Sequence, residues 1–317
     1  MVTLQGATNM ATTMMKAMLT SAAACFLALH AAAPLAQDAA GVEALAGTLK
    51  KVKDSGAVTI GFRDASVPFS YLGPGRRPIG YSIDLCLAIV EQMRTELSVD
   101  DLQVKYLSVN PQNRMAMVAS GAVDLECGQT TNNAERRATV AFSPVIFVSG
   151  TKLLVKRNPK VKSYRDLAGR TIAVTEGTTN EAAIRSVSAK EGLNFKIVPV
   201  RENDMAFAAV QNGQADAWAG DDVVLYATAA EAKSASGDFA VLTDFISYDP
   251  YGIMYRQNDP QLEALVQRTF EDLAQARELA RTYEQWFLRK LPSGTTLGIS
   301  MSPQLKAIFE ALGQATD

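Results

Sequence analysis

ECGQTTNNAER, residues 126–136, is the stretch from which the rest of the chain can be read. Val123 to Cys127 has the composition of a strand, Gly128 ends it, and Thr130, Thr131, Asn132 and Asn133 suit the cap of a helix beginning at Ala134. A helix N-terminus carries unpaired N–H groups and partial positive charge, so such a turn attracts an anion. Arg136, one turn in, has a planar fork that can grip a carboxylate bidentately. A capped surface helix with a solvated arginine would carry the same letters. The neighbouring segments favour the anion site.

Upstream, Val58 to Arg63 is a short β-rich run, followed by the polar loop Asp64–Ser70 and a turn at Leu72–Pro78. A helix is expected from Gly80, with Ile83, Leu85, Leu87, Ile89, Val90 and Met93 on its apolar side. Val104–Val109 reads as a strand and Gln112–Ala119 as a short helix. This alternation implies a parallel sheet with helices on its faces, and in such sheets ligands bind beyond the carboxyl ends of the strands. Arg63, Arg114 and the 126–136 turn all fall at that end.

Downstream, a long β-rich crossing over Val145–Val155 precedes a second run of the same kind. Its strands are expected at 170–174, 195–200 and 215–219, its helices at 181–190 and 204–211, with the Gly/Thr turn 175–180 between and Asp221-Asp222 at the end. Val118-Ala-Ser-Gly121-Ala-Val-Asp124 and Val210-Gln-Asn-Gly213-Gln-Ala-Asp216 share one spacing, which suggests two similar lobes. Helical patterns over Leu262–Leu273 and Leu279–Phe287 form a tail expected to return to the first lobe. The chain would then cross between lobes twice, near 145–155 and 248–256, and two crossings make a hinge. The expected organisation is a signal peptide over 1–36, the first part of lobe 1 over 37–148, lobe 2 over 149–250, and the return to lobe 1 with C-terminal helices over 251–317.

The chain has 317 residues, room for two lobes, with ordinary charged and apolar fractions. Its first 37 residues carry one charge, Lys16, ahead of the apolar run Ala17–Leu29 and the small-residue segment Ala31–Ala36. That order is the grammar of a cleavable secretory signal. A retained anchor is disfavoured by His30 and Pro34, and a lipoprotein box at Cys25 by the apolar run that continues past it. His30 is the sole histidine, so an exported mature chain would have none, which excludes a histidine-dependent triad and the common histidine-rich zinc sites. Cys86 and Cys127 remain, either as one disulfide or as buried small hydrophobes. After Lys16 is removed, 33 acidic residues face one fewer than the 31 basic ones, a balance that suggests neither nucleic acid nor an anionic membrane as partner.

The segments GFRDASVPFSY (61–71), GYSIDLCLAIVEQM (80–93), QNR (112–114), ECGQTTNNAER (126–136), AFSPVIFVSGTKLLVK (141–156), VTEGTTNE (174–181) and DD (221–222) resemble, in order, the periplasmic solute-binding proteins of bacterial amino-acid ABC importers. The resemblance is to the glutamate/aspartate-binding branch and spans roughly residues 48 to 290. It implies a two-lobed α/β Venus-flytrap fold holding an acidic amino acid between its lobes, and a monomer working in the periplasm with an inner-membrane permease. No cofactor or metal is implied. By position, Arg136 and Thr131 would take the α-carboxylate with Thr179 from the second lobe, Asp221 the α-ammonium, and Arg63 and Arg114 the side-chain carboxylate. Phe69 and Tyr71 would either wall the pocket or pack the loop.

Three positions depart from the branch's pattern. Pro111 stands for a small hydroxyl residue, Gln129 for serine and Asn203 for histidine. Gln129 and Asn203 are retained as ligand-binding candidates, and the departures leave open aspartate, glutamate or a close analogue. Ser82 also replaces the acidic residue usual after the Gly-aromatic pair. An enzyme on the same scaffold, of the cyclohexadienyl dehydratase kind, is the alternative, with Glu126, Glu176 and Asp221 as its candidate acids or bases. A sensor domain is the third reading, disfavoured because no membrane segment follows the tail.

Overall fold

The computed structural model describes residues 44–158, 160–232 and 238–315. The expected signal segment 1–36, with Lys16, Cys25 and His30, lies outside the described residues.

Two five-stranded sheets carry the fold, and they have the same plan. In the first the order is Gln103–Ser108, Ala57–Phe62, Leu125–Glu126, Met254–Arg256, Val140–Phe142; in the second it is Lys196–Val200, Thr171–Thr175, Ala217–Asp221, Thr151–Lys156, Phe239–Val241. In each, the first three strands are parallel and the last two run antiparallel to their neighbours. The expected parallel sheet is therefore mixed, because strands that lead from one sheet to the other join it from the opposite direction. The repeated spacing seen in the sequence has an atomic counterpart. Gly121 and Gly213 take φ of +73° and +74°, where a Cβ would strain the backbone. The aspartate that follows each turns back onto the neighbouring parallel strand, the second in its sheet: Asp124 accepts from the Thr59 N–H at 2.9 Å, and Asp216 from the Thr171 N–H at 2.8 Å.

The chain passes between the sheets at Phe147–Ser149 and Asp249–Tyr251, which pair antiparallel with each other. The long crossing expected over 145–155 is broken in two at Gly150, where a Cβ would lie 2.3 Å from the Ser247 carbonyl oxygen. The loop expected at 64–70 holds short strands at Ala65–Ser66 and Ser70–Leu72, and the strand expected at 123–127 shrinks to Leu125–Glu126.

Helix Tyr81–Leu97 buries Ile83, Leu85, Cys86, Ile89, Val90, Met93 and Leu97. Leu87, expected on that stripe, falls outside the helical repeat and is exposed. Helices Pro260–Gln275 and Glu278–Phe287 pack against this helix, and the Trp286 indole N–H donates to the Asp84 carboxylate at 2.6 Å. Phe69 is fully buried among Tyr81, Phe147, Tyr251 and Phe287, so it belongs to the core beneath the passage between the sheets. Tyr71 packs on Trp286. Both rings pack the loop.

Cys86 and Cys127 are disulfide-bonded, which settles the choice that spacing left open. The bond ties the helix to the residue beyond the short strand 125–126 and closes a loop with a sequence separation of 41. A loop of that length contributes about 2–4 kcal/mol by restricting the unfolded chain. Cys86→Ala/Cys127→Ala is expected to lower the unfolding free energy by that amount, read from urea denaturation with the slope fitted separately because the freed unfolded chain exposes more surface; an unchanged unfolding free energy would refute it.

Candidate functional site

The site lies where the carboxyl ends of the second and third strands of each sheet, in the order given above, meet. Arg63 follows the second strand of one sheet, Ala57–Phe62, and the turn 127–133 its third; the turn 176–178 and Asp221 stand at the matching places in the other. The expected anion-binding helix N-terminus is only one turn long, Ala134–Arg137, with the Asn133 side chain accepting from the Arg136 N–H at 2.9 Å. Its approach is partly spent within the protein, since the Asn132 N–H donates to the Pro250 carbonyl at 2.7 Å. The positive charge here comes chiefly from arginine side chains.

Three of these share one field. Arg114, the first residue of helix Arg114–Ala119, is 3 % exposed. Its Nη1 stands 3.9 Å from Glu126, and neither Nε nor Nη1 has a hydrogen-bond acceptor. Burial pulls its guanidinium down to about 9, helped by Arg136 and Arg63 and opposed by Glu126 and Asp221, so it remains a cation at neutral pH. The Glu126 carboxylate accepts from the Thr130 hydroxyl at 2.6 Å through Oε2, and its buried Oε1 has no hydrogen bond. Arg136 is half-buried, donates from Nη1 to the Thr131 carbonyl at 3.0 Å, and is also lowered by burial. Arg63 is 1 % exposed and pairs with Glu202 at 2.5 Å. Gly128 makes this crowding possible: a Cβ there would lie 2.4 Å from Glu126 Oε1 and 3.1 Å from Arg63 Cγ.

From the second lobe, Asp221 ends its strand with its carboxylate buried. The Asn180 amide donates to it at 3.0 Å and the Gln129 amide, from the first lobe, at 3.4 Å. Its side chain makes no capping hydrogen bond to the helix that follows; Asp222, the first residue of that helix, accepts from the adjacent Val223 N–H. Burial and the neighbouring Asp249 push the Asp221 carboxyl up to about 7. The Thr131 hydroxyl lies 3.2 Å from that of Thr179 and 3.2 Å from Asp249, so it joins the two lobes to the returning strand. Asn203 accepts from the Thr175 hydroxyl at 2.8 Å and turns its amide toward the Ala65 carbonyl at 3.5 Å.

All eight sequence-expected residues are thus brought to one cleft, although Arg63 and Asn203 arrive there with protein partners. Three participants escaped sequence reasoning. Asn180 lies inside the quoted VTEGTTNE segment, so its motif was the available signal. Asp249 precedes Pro250 on a returning β-rich run, and Glu202 precedes a helix; each reads as an ordinary solvated acid. Among the described residues no cluster of histidine, cysteine and acidic side chains has the arrangement to hold a metal ion. A surface pocket of about 440 Å³, lined by Met115, Arg136, Thr178 and Thr179 among others, adjoins the cleft.

Two lobes of one plan, joined by a pair of strands and meeting through arginines on one side and an aspartate on the other, define a two-lobed solute-binding protein. The chain belongs to the bacterial extracellular solute-binding proteins, family 3, whose profile matches residues 58–289. It is 40 % identical over 268 residues to the L-glutamate/L-aspartate-binding protein of Pseudomonas aeruginosa, covering 84 % of this chain and 88 % of that one. To the glutamate/aspartate import solute-binding protein of Escherichia coli it is 34 % identical over 289 residues, covering 91 % and 95 %. Among solved structures, an ancestral amino acid-binding protein that is a precursor of cyclohexadienyl dehydratase aligns with a TM-score of 0.63 at 28 % identity, over 76 % of this chain and 99 % of that one.

Proposed function

We propose that this protein captures glutamate or aspartate in the periplasm and delivers it, unchanged, to an inner-membrane ABC permease. The observation that carries the reading is Arg114, a buried cation with two nitrogens lacking acceptors. Buried donors of a charged group are rarely left unpaired, and a ligand carboxylate would complete them. Arg136, with the Thr131 and Thr179 hydroxyls, then takes the α-carboxylate, and Asp221 the ammonium. Each ligand charge meets an opposite one in a cleft that excludes water on closing. The strands 147–149 and 249–251 serve as the hinge. The names of the Pseudomonas and Escherichia relatives support the same ligand class.

A non-enzymatic carrier fits the site better than a dehydratase. Asp221, paired to an ammonium, makes a poor base, and Glu126 already has Arg114 and Thr130 beside it. The test is isothermal titration of refolded, ligand-stripped protein with L-glutamate, L-aspartate, L-glutamine and L-arginine, followed by recovery of the ligand. Binding confined to the two acids, with the ligand released intact, is expected. Binding of only neutral or basic amino acids would reject the assignment, and conversion of a cyclohexadienyl acid would reject the carrier.

A further inference from the structure

We propose that the chain carries a second ligand site, apart from the amino-acid cleft, in a cavity that takes a small organic ammonium with an apolar body and holds it through Asp222. The cavity has a volume of about 520 Å³ and is lined by the passing strand Phe147–Ser149, the start of helix Asp222–Glu231, residues 245–248 ahead of the returning strand, and the segment 299–305. A volume of that order suits a small molecule. Two lining side chains, Phe245 and Tyr248, are 58 % and 62 % exposed, the most exposed large hydrophobic side chains among the described residues. With Tyr226 they concentrate exposed rings on one cavity, which marks a binding surface rather than scattered surface apolarity.

The charge of the lining selects the ligand. Apart from tyrosines, Asp222 is its one ionisable side chain, and no lysine or arginine lines the cavity among the described residues. Asp222 Oδ1 accepts from the Ser149 hydroxyl at 2.7 Å and from the Val223 N–H at 2.8 Å. Its Oδ2 has no hydrogen bond, and no cation stands at ion-pair distance, among the described residues. Lys152 is buried and outside the lining, its Nζ 3.9 Å from the Phe245 ring centroid and 3.5 Å from the Tyr226 hydroxyl. That charge opposes a ligand cation on those two rings, so the ammonium belongs at Asp222 and the apolar body against Phe245 and Tyr226. A ligand carboxylate would face Asp222 unpaired.

The lining also couples this cavity to the cleft. Tyr283, stacked on Phe147, comes from a helix packed on the first lobe, whereas Asp222 and Tyr226 come from the second. Asp221, next to Asp222, faces the cleft. The contacts Thr131–Thr179 and Gln129–Asp221 hold the lobes together across that cleft, so an occupant that fits this cavity favours the same arrangement. The amine and the ligand of the cleft then raise each other's affinity by one common factor.

Titration with 2-phenylethylammonium is expected to show one saturable site, with 2-phenylethanol and phenylacetate bound about tenfold or more weakly. Asp222→Asn keeps an oxygen for Ser149 and Val223 but removes the charge. It should weaken the amine by about tenfold or more and leave 2-phenylethanol unchanged. Ser300→Trp, at an exposed lining position outside any helix or strand, should block the cavity without lowering thermal stability. Saturating glutamate is expected to tighten the amine severalfold. Loss of the amine on adding glutamate would instead place it on Asp221 in the cleft and overturn the proposal. So would equal binding of the three probes, wild-type affinity in either variant, or no saturation below about 10 mM. A ligand-free dimer that Ser300→Trp disperses would give the cavity to a second copy of the chain and equally overturn it. The glutamate arm alone rests on the acidic-amino-acid reading: a protein that binds neither acid rejects that reading, and the amine titrations with the two variants still decide this one.

Discussion

Arg114→Gln is expected to reduce glutamate affinity by about a hundredfold to a thousandfold in isothermal titration. The magnitude follows from burial. Removing one member of a buried charge pair costs about 3–5 kcal/mol, and each 1.4 kcal/mol is about tenfold in affinity. Arg114 is 3 % exposed and its Nε and Nη1 lack acceptors, so a carboxylate entering the cleft would find no replacement for them in a glutamine amide. Glutamine, whose side chain carries no charge, should lose much less, and the preference for glutamate over glutamine should narrow. Arg114→Lys separates charge from geometry: an ammonium keeps the charge near Glu126 but cannot offer a planar fork, so intermediate affinity is expected. Glutamate binding by Arg114→Gln within a few-fold of wild type would show that the distal carboxylate is read elsewhere.

The parallel strands of both lobes were legible because each is a short β-rich run bounded by turn residues, whereas the edge strands Val140–Phe142 and Phe239–Val241, three residues each, drew no expectation. The repeat around Gly121 and Gly213 was legible because one backbone geometry demands glycine and the aspartate after it returns to the neighbouring parallel strand. What the letters could not carry was partnership across the cleft. Arg63 looks like any strand-end arginine until Glu202, 139 residues away, is folded against it. Asp249 is 118 residues from Thr131 and meets it only because the return strand pairs with the outgoing one. Leu87 shows the same limit on a helix, where an apolar residue one step off the buried stripe still reads as core.

The turn at 126–136 is the instructive mixture. Its capping letters correctly mark the start of a helix, and Asn133 does cap it. The inferred helix field does not follow, because the helix ends after four residues. Position at the ends of two strands, rather than propensity, is what gathers Arg114, Arg136, Thr131 and Asp221.

Glutamate affinity is expected to fall about tenfold per pH unit below pH 7, reversing the usual expectation that a buried carboxylate is simply ionised. Asp221 carries the dependence. Burial and Asp249 raise its carboxyl from the ordinary 3.8 to about 7, against the Asn180 amide, which favours the charged form. An arriving ammonium needs the carboxylate, so below pH 7 a proton must leave before it binds, while free glutamate changes charge little between about pH 5 and 7. Titrations in buffers of different ionisation heat should therefore register proton release on binding. The folding linkage has the opposite sign. Between 3.8 and about 7 the native protein holds a proton that the unfolded chain has lost, so this group's contribution to stability is full below 3.8 and declines as pH rises. Ligand-free stability and ligand affinity should move in opposite directions across that window. Asp249→Asn removes the adjacent negative charge and should shift the break in affinity to lower pH. Asp221→Asn should abolish both the proton release and most of the binding. A flat pH profile in the wild type, or one untouched by Asp249→Asn, would take the ammonium away from Asp221.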